Sequence, residues 1–119
     1  MSLQKTPSGL KIKDTLEGTG RVAQRGELVS IHFRCFLNKG EICGSSYDDG
    51  KPYKFVLGKR QAIAGFEYGV EGMKVGGMRE LVISPHLAYR DKPVGSIPAN
   101  CVLRFEVELI EVRECQAGD

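Results

Sequence analysis

Strict alternation of apolar and polar residues constrains this chain more than any other feature. Leu103, Phe105, Val107 and Leu109 fall on one side of an extended segment, and Arg104, Glu106 and Glu108 on the other. Successive side chains of a strand point to opposite faces, so this series has one dry face and one wet face, as in an antiparallel sheet covered on one side. Val29, Ile31, Phe33, Cys35 and Leu37 make a second such series, Tyr53, Phe55 and Leu57 a third, and Leu81 with Ile83 a shorter fourth. Leu10, Ile12 and Leu16 mark a weaker strand near the start.

One segment breaks the period of two. Ile63, Phe66, Val70 and Met73 recur at helical spacing, which predicts the chain's single α-helix within residues 60–72. Gly65 and Gly69 lie inside it, each costing about 1 kcal/mol of helix propensity relative to alanine. Such a helix depends on packing against the sheet, and the two glycines let its backbone come close to the strands. Asn38-Lys39-Gly40, Asp48-Asp49-Gly50 and Gly76-Gly77 are turn signals, and Pro93, Gly95 and Pro98 mark a long surface loop. The tail after Glu114 is short and polar. With no repeat or linker, the expected architecture is α+β. It is one domain over residues 1–119 (core 8–113), a curved antiparallel β-sheet of about five strands wrapped around one short α-helix.

The reactive inventory is sparse. A net charge of +2 from 17 basic and 15 acidic residues, with no basic stripe interleaved with aromatics, gives no footprint for nucleic acid. No apolar run approaches the ~20 residues of a membrane span, and the first residues lack a leader pattern, so a cytoplasmic location is expected. Cys35, Cys43, Cys101 and Cys115 show no C-x-x-C spacing and are expected as free thiols. His32 and His86 sit far apart and outside any zinc-ligand pattern, so no metal or cofactor is expected. Ser45 and Ser46 lack a nucleophile elbow, and the glycines between Gly69 and Gly77 lack the lysine of a phosphate loop. Asp48 and Asp49 read as a solvated turn. What remains is a set of aromatics on core-facing positions: Phe33, Tyr53, Phe55, Phe66, Tyr89 and Phe105.

An ordered set of segments carries a resemblance. Gly40-Glu41 ahead of Ser45-Ser46 is followed by Lys51-Pro52-Tyr53-Lys54-Phe55-Val56-Leu57-Gly58, and then by Ile63-Ala64-Gly65-Phe66-Glu67-Tyr68-Gly69-Val70. Gly72-Met73-Lys74-Val75-Gly76-Gly77, Ile83-Ser84-Pro85-His86-Leu87-Ala88-Tyr89, Ile97-Pro98 and Leu103-Arg104-Phe105-Glu106-Val107-Glu108-Leu109 complete it. In this order, residues 8–113 resemble the FKBP-type peptidyl-prolyl isomerase family. The resemblance implies a bent antiparallel sheet around one short helix. It also implies a chaperone-like activity in protein folding, rotation about the bond before proline, which needs neither nucleophile nor cofactor.

The resemblance places Phe66 as the platform on the helix, where the family most often has tryptophan. Ile63 would offer its backbone N–H to a substrate carbonyl, with Ala62 beside it, and Tyr89 its hydroxyl to the substrate backbone. Tyr53, Phe33 and Phe105 would line the walls, and Ile97 would close the rim. Cys43 and Gly44 replace the family's usual phenylalanine and aspartate, and Asp49 stands where an arginine commonly pairs with that aspartate. The implied partners are proline-containing segments of client proteins, bound by a monomer, with weak affinity for the macrolides tacrolimus and rapamycin. Weakened catalysis is the expected consequence, and a non-catalytic peptide-binding module with the same fold is the alternative.

Overall fold

A computed structural model describes residues 9–37, 40–92 and 97–114. The turn expected at Asn38-Lys39, the loop tip at 93–96 and the tail from Cys115 lie outside the described residues. Six strands form one sheet: β1 (Leu10–Leu16), β2 (Glu27–Phe36), β3 (Ile42–Ser45), β4 (Tyr53–Val56), β5 (Met78–Ile83) and β6 (Leu103–Glu114). Their order is β1-β5-β6-β2-β3, with β4 also on β2, and every named pair is antiparallel. Strands β3 and β4 share one edge of β2: β3 pairs with Arg34 to Phe36, and β4 with Leu28 to Ile31.

The alternation read from the sequence is the alternation of burial. Leu103, Phe105, Val107 and Leu109 are each almost wholly buried, while Arg104, Glu106 and Glu108 stay half exposed. The phase then changes. Opposite Ser30 and Ile31, β6 carries Ile110 as an extra residue, so Ile110 is exposed and Val112 turns inward. Such a bulge inserts one residue against a partner strand and bends the sheet.

Helix α2 (Ala64–Val70) lies on β5 and β1, inside the predicted range, with Phe66 and Val70 buried. Ile63 caps its start and Met73 is buried just beyond its end. The glycines serve close approach: a Cβ at Gly69 would stand 2.5 Å from Leu81 Cδ1, and one at Gly65 would run into Ile83. Carbonyls at the end of α2 are held by Arg79, whose Nη1 donates to Gly69 O at 2.9 Å and Glu71 O at 3.0 Å. Its Nε donates to Asp14 at 2.6 Å. A cation suits this end of a helix, where unpaired carbonyls gather.

As expected, α2 is the one main helix among the described residues; beside it a one-turn helix, α1 (Ser46–Asp49), follows β3, and a 3-10 turn spans Pro85–Leu87. Asp48 and Asp49 therefore sit in a helical turn, capped by Ser45, whose Oγ accepts from Tyr47 N–H at 3.2 Å. One expectation needs correction: Cys35 and Cys43 are not free thiols but form a disulfide between β2 and β3. The two strands set their Cα atoms 5.3 Å apart, within bridging range, a proximity created by strand pairing. Cys101 remains free.

Candidate functional site

An open cleft of about 420 Å³ lies between the start of α2 and the curved sheet. Phe66 and Phe105, 4% and 3% exposed, form its floor. Phe33 from β2 and Tyr53 from β4 stand as walls, Ala62 and Ile63 line the approach to the helix, and Tyr89 follows the 3-10 turn. No lining residue carries an ionisable acid or base of ordinary strength.

The aromatic rings hold each other in place. Phe33 meets Phe66 at 5.5 Å and 64°, Phe105 at 5.9 Å and 60°, and Tyr53 at 6.0 Å and 77° between centroids and planes. Edge-to-face pairs of this kind set the positive ring edge against the negative face and add about 0.5–1.5 kcal/mol beyond area burial. Phe33 is also fixed through its backbone, because its N–H donates to the buried Ser46 Oγ at 2.7 Å. The same Oγ lies 2.9 Å from His32 Nδ1. That pair is structural: it ties α1 to β2, and neither residue lines the cleft.

Two hydrogen-bond donors at the cleft have no partner among the described residues: the Ile63 N–H and the Tyr89 hydroxyl. Tyr53 differs. Its hydroxyl donates to Gln61 O at 3.3 Å. Burial, then the neighbouring Tyr89 and Glu67, push its pKa up, so it stays a protonated donor at neutral pH. Gln61 lines the cleft and is the residue that sequence reasoning passed over. Its Oε1 accepts from Val56 N–H at 3.0 Å, tying β4 to the entry of α2. A polar residue between helix and strand breaks no periodicity, so nothing in the sequence singled it out.

Phe66, Ile63, Tyr89, Phe105, Phe33, Tyr53 and Ala62 thus come together as one surface. Ile97 is packed into the core, 9% exposed, and does not line the cleft. Cys43 and Gly44 lie on β3, outside the lining as well. Gly44 has no left-handed backbone, and a Cβ there would meet only Cys35 Cβ at 4.0 Å. Among the described residues, no group of three His, Cys, Asp or Glu side chains is placed to hold a metal ion, and no helix is long and apolar enough to cross a membrane.

A curved antiparallel sheet cupping a short helix, with an uncharged aromatic cleft where they meet, suits a ligand that is apolar and needs orienting more than it needs a reactive group. Residues 19–110 match the family model described as FKBP-type peptidyl-prolyl cis-trans isomerase. The chain is 43% identical over 113 residues to FK506-binding protein 1A of Neurospora crassa, covering 93% of this chain and 94% of that protein. It is 45% identical over 109 residues to an FK506-binding protein of Streptomyces anulatus, covering 89% and 88%. Among solved structures, AtFKBP13 superposes with a TM-score of 0.82 at 35% identity, covering 93% of this chain and 98% of that one. FkpA from Escherichia coli gives 0.83 at 34% identity, covering 94% and 52%. The chain belongs to the FKBP-type peptidyl-prolyl cis-trans isomerase family.

The reaction of this family is rotation about the amide before proline. That barrier is about 18–20 kcal/mol because the planar amide is resonance-stabilised. Twisting removes the resonance and with it part of the charge separation that water solvates, so a dry aromatic surface favours the twisted form over the planar one. Only such differential preference accelerates the step, at tenfold for every ~1.4 kcal/mol.

Proposed function

We propose that the aromatic cleft is where this chain binds and isomerises proline-containing peptide segments. In this reading the proline ring rests on Phe66 and Phe105, flanked by Phe33, Tyr53 and Ala62. Ile63 N–H donates to the substrate carbonyl and the Tyr89 hydroxyl to its backbone. The observation that carries the reading is the pair of donors, Ile63 N–H and Tyr89 Oη, that have no partner among the described residues, at the edge of an otherwise apolar cleft. Cys43, Gly44 and Ile97 do not line the cleft and do not touch the substrate directly; in this reading the absence of a carboxylate at Gly44 lowers the rate. The same departure weakens macrolide binding, the property named in the FK506-binding relatives.

One domain with its core at residues 8–113, acting as a cytoplasmic monomer in protein folding and as a chaperone, belongs to this reading. The Cys35–Cys43 bridge bears on the location, since disulfides persist mainly in oxidising compartments. In a reducing cytosol the pair stands as two thiols.

Titration with an Ala-Leu-Pro-Phe peptide, followed by amide chemical shifts, tests the assignment of the site. The Ile63 amide and the Phe66, Phe105 and Tyr89 rings are expected to move together. Tyr89→Phe is expected to weaken binding by about 0.5–1.5 kcal/mol, the worth of one hydrogen bond. Shifts confined to another face, with these signals unmoved, would place the peptide elsewhere.

A further inference from the structure

A second depression, of about 520 Å³, adjoins the aromatic cleft and shares Ala62 with it. Its character is different. Arg25, Arg60 and Arg90 converge on it, along with Glu67 and Tyr68 from α2 and Glu71 just past its end. The chain passes directly from one site to the other twice, at Arg60-Gln61 and at Tyr89-Arg90, the glutamine and tyrosine facing the cleft and the arginines the depression.

The backbone that carries these arginines is fixed. Both oxygens of Glu67 are held by main-chain donors, Gly58 N–H at 3.0 Å and Arg60 N–H at 2.6 Å. Arg90 N–H donates to Pro85 O at 2.8 Å, and Arg90 O accepts from Asn100 N–H at 2.6 Å. Arg60 and Arg90 both have positive φ, 57° and 55°, a conformation sparsely populated by non-glycine residues. Arg25 lies beside Gly58, with Nε 3.3 Å from where a Cβ there would stand. None of the three guanidiniums forms an ion pair among the described residues. They outnumber the two carboxylates, and Glu67 already spends both oxygens on the main chain.

We infer that this depression is a subsite for an anionic side chain, a carboxylate or a phosphate ester, borne on the same peptide segment as the proline in the aromatic cleft. The inference rests on the isomerase reading of that cleft and names the substrate class it selects. Guanidinium groups fit planar carboxylates and phosphates through paired N–H donors. Because Ala62 borders both sites, the anionic residue sits within about three positions of the proline, at ~3.3 Å per extended residue. Tyr68, 43% exposed, gives that side chain an aromatic face to lie against.

The test is a set of Leu-Pro peptides that carry either Glu or Gln at one position, from three before the proline to three after it. Affinity is read by titration and turnover by exchange spectroscopy, on the full chain. At one position the Glu peptide is expected to exceed its Gln twin about fivefold in kcat/KM, equivalent to ~1 kcal/mol. That ratio should fall towards one in Arg60→Gln/Arg90→Gln and in ~1 M salt, where the screening length is about 3 Å. It should invert in favour of Lys peptides in Arg60→Glu/Arg90→Glu. Each ratio compares two peptides on one protein, so a loss of stability does not imitate it.

Equal Glu and Gln peptides at every position, with normal turnover of both, would overturn the subsite and leave the isomerase reading standing. Inorganic phosphate that shifts the arginine signals, while no Glu peptide gains, would also overturn it and mark a site for a free anion. No turnover on any peptide would refute the isomerase reading, and the affinity ratios would then decide the subsite alone.

Discussion

Phe66 meets Phe105 edge to face, with ring centroids 4.6 Å apart and planes at 74°. The first ring comes from the helix and the second from near the start of β6, so this contact joins helix to sheet at the floor of the cleft. Phe66 therefore serves the core and the site together, and its substitution must be read on two scales.

Phe66→Ala should cost about 3–5 kcal/mol of stability, the usual range for emptying a buried phenylalanine. Phe66→Leu keeps most of the volume and should remain folded at a smaller cost, under about 1.5 kcal/mol. In the folded leucine variant, turnover of a Leu-Pro peptide should still fall at least about tenfold, because the flat ring is gone. Chemical denaturation beside peptide kinetics separates the two effects. Unchanged turnover in the leucine variant would show that the ring has no part in the reaction.

Arg79 is only 10% exposed and holds the last carbonyls of α2 as well as Asp14 on β1. Arg79→Ala should lower stability by about 1.5–3 kcal/mol, the range for hydrogen bonds to a charged group. Asp14→Ala should cost less, since that carboxylate is 58% exposed and its pairing is screened by solvent. Urea unfolding of both variants checks the order.

The Cys35–Cys43 bridge predicts a specific alkylation pattern. Without reductant, iodoacetamide should leave both residues unmodified while Cys101 reacts; after reduction both should be labelled. Closing a loop of this short separation, eight residues, is worth about 2–3 kcal/mol in the chain-entropy account. Reduced protein should therefore unfold at lower denaturant, and Cys43→Ser should match it. Equal labelling with and without reductant would show two thiols in solution.

Gly44 has room for a side chain and an unstrained backbone, so the missing carboxylate can be restored without disturbing the bridge next to it. Gly44→Asp alone should do little, because Asp49 offers it no partner. Gly44→Asp with Asp49→Arg should raise turnover about tenfold, and a double-mutant cycle should show positive coupling. A stable double variant with unchanged turnover would mean that this carboxylate never limited the rate.

Much of the fold was legible because its longest strands are wet on one face only. The alternation through Leu103 to Leu109 and the helical spacing of Ile63, Phe66 and Val70 each report a one-sided environment, which leaves a periodic mark. Strand β3 was not legible: Ile42, Cys43, Gly44 and Ser45 are too few to alternate, and the register shifts within them. The disulfide was hidden for the same reason, since only the pairing of β2 with β3 brings the two cysteines together. Arg79 left no trace either, because its partners depend on how the helix end meets the sheet. Within the cleft, the aromatic residues were found through resemblance, whereas Gln61 and the neighbouring arginines follow no period and needed the tertiary structure.

The central claim is that this chain catalyses prolyl isomerisation in the cleft floored by Phe66. Exchange spectroscopy on an Ala-Leu-Pro-Phe peptide, at protein concentrations far below that of the peptide, tests it most directly. Spontaneous exchange takes about 10–100 s, too slow to connect the cis and trans signals on the timescale of the experiment. The account predicts cross-peaks between them that grow with protein concentration and weaken in Phe66→Leu. Saturable shifts without any cis–trans exchange would contradict it, and would make the protein a binding module that kept the cleft and lost the reaction.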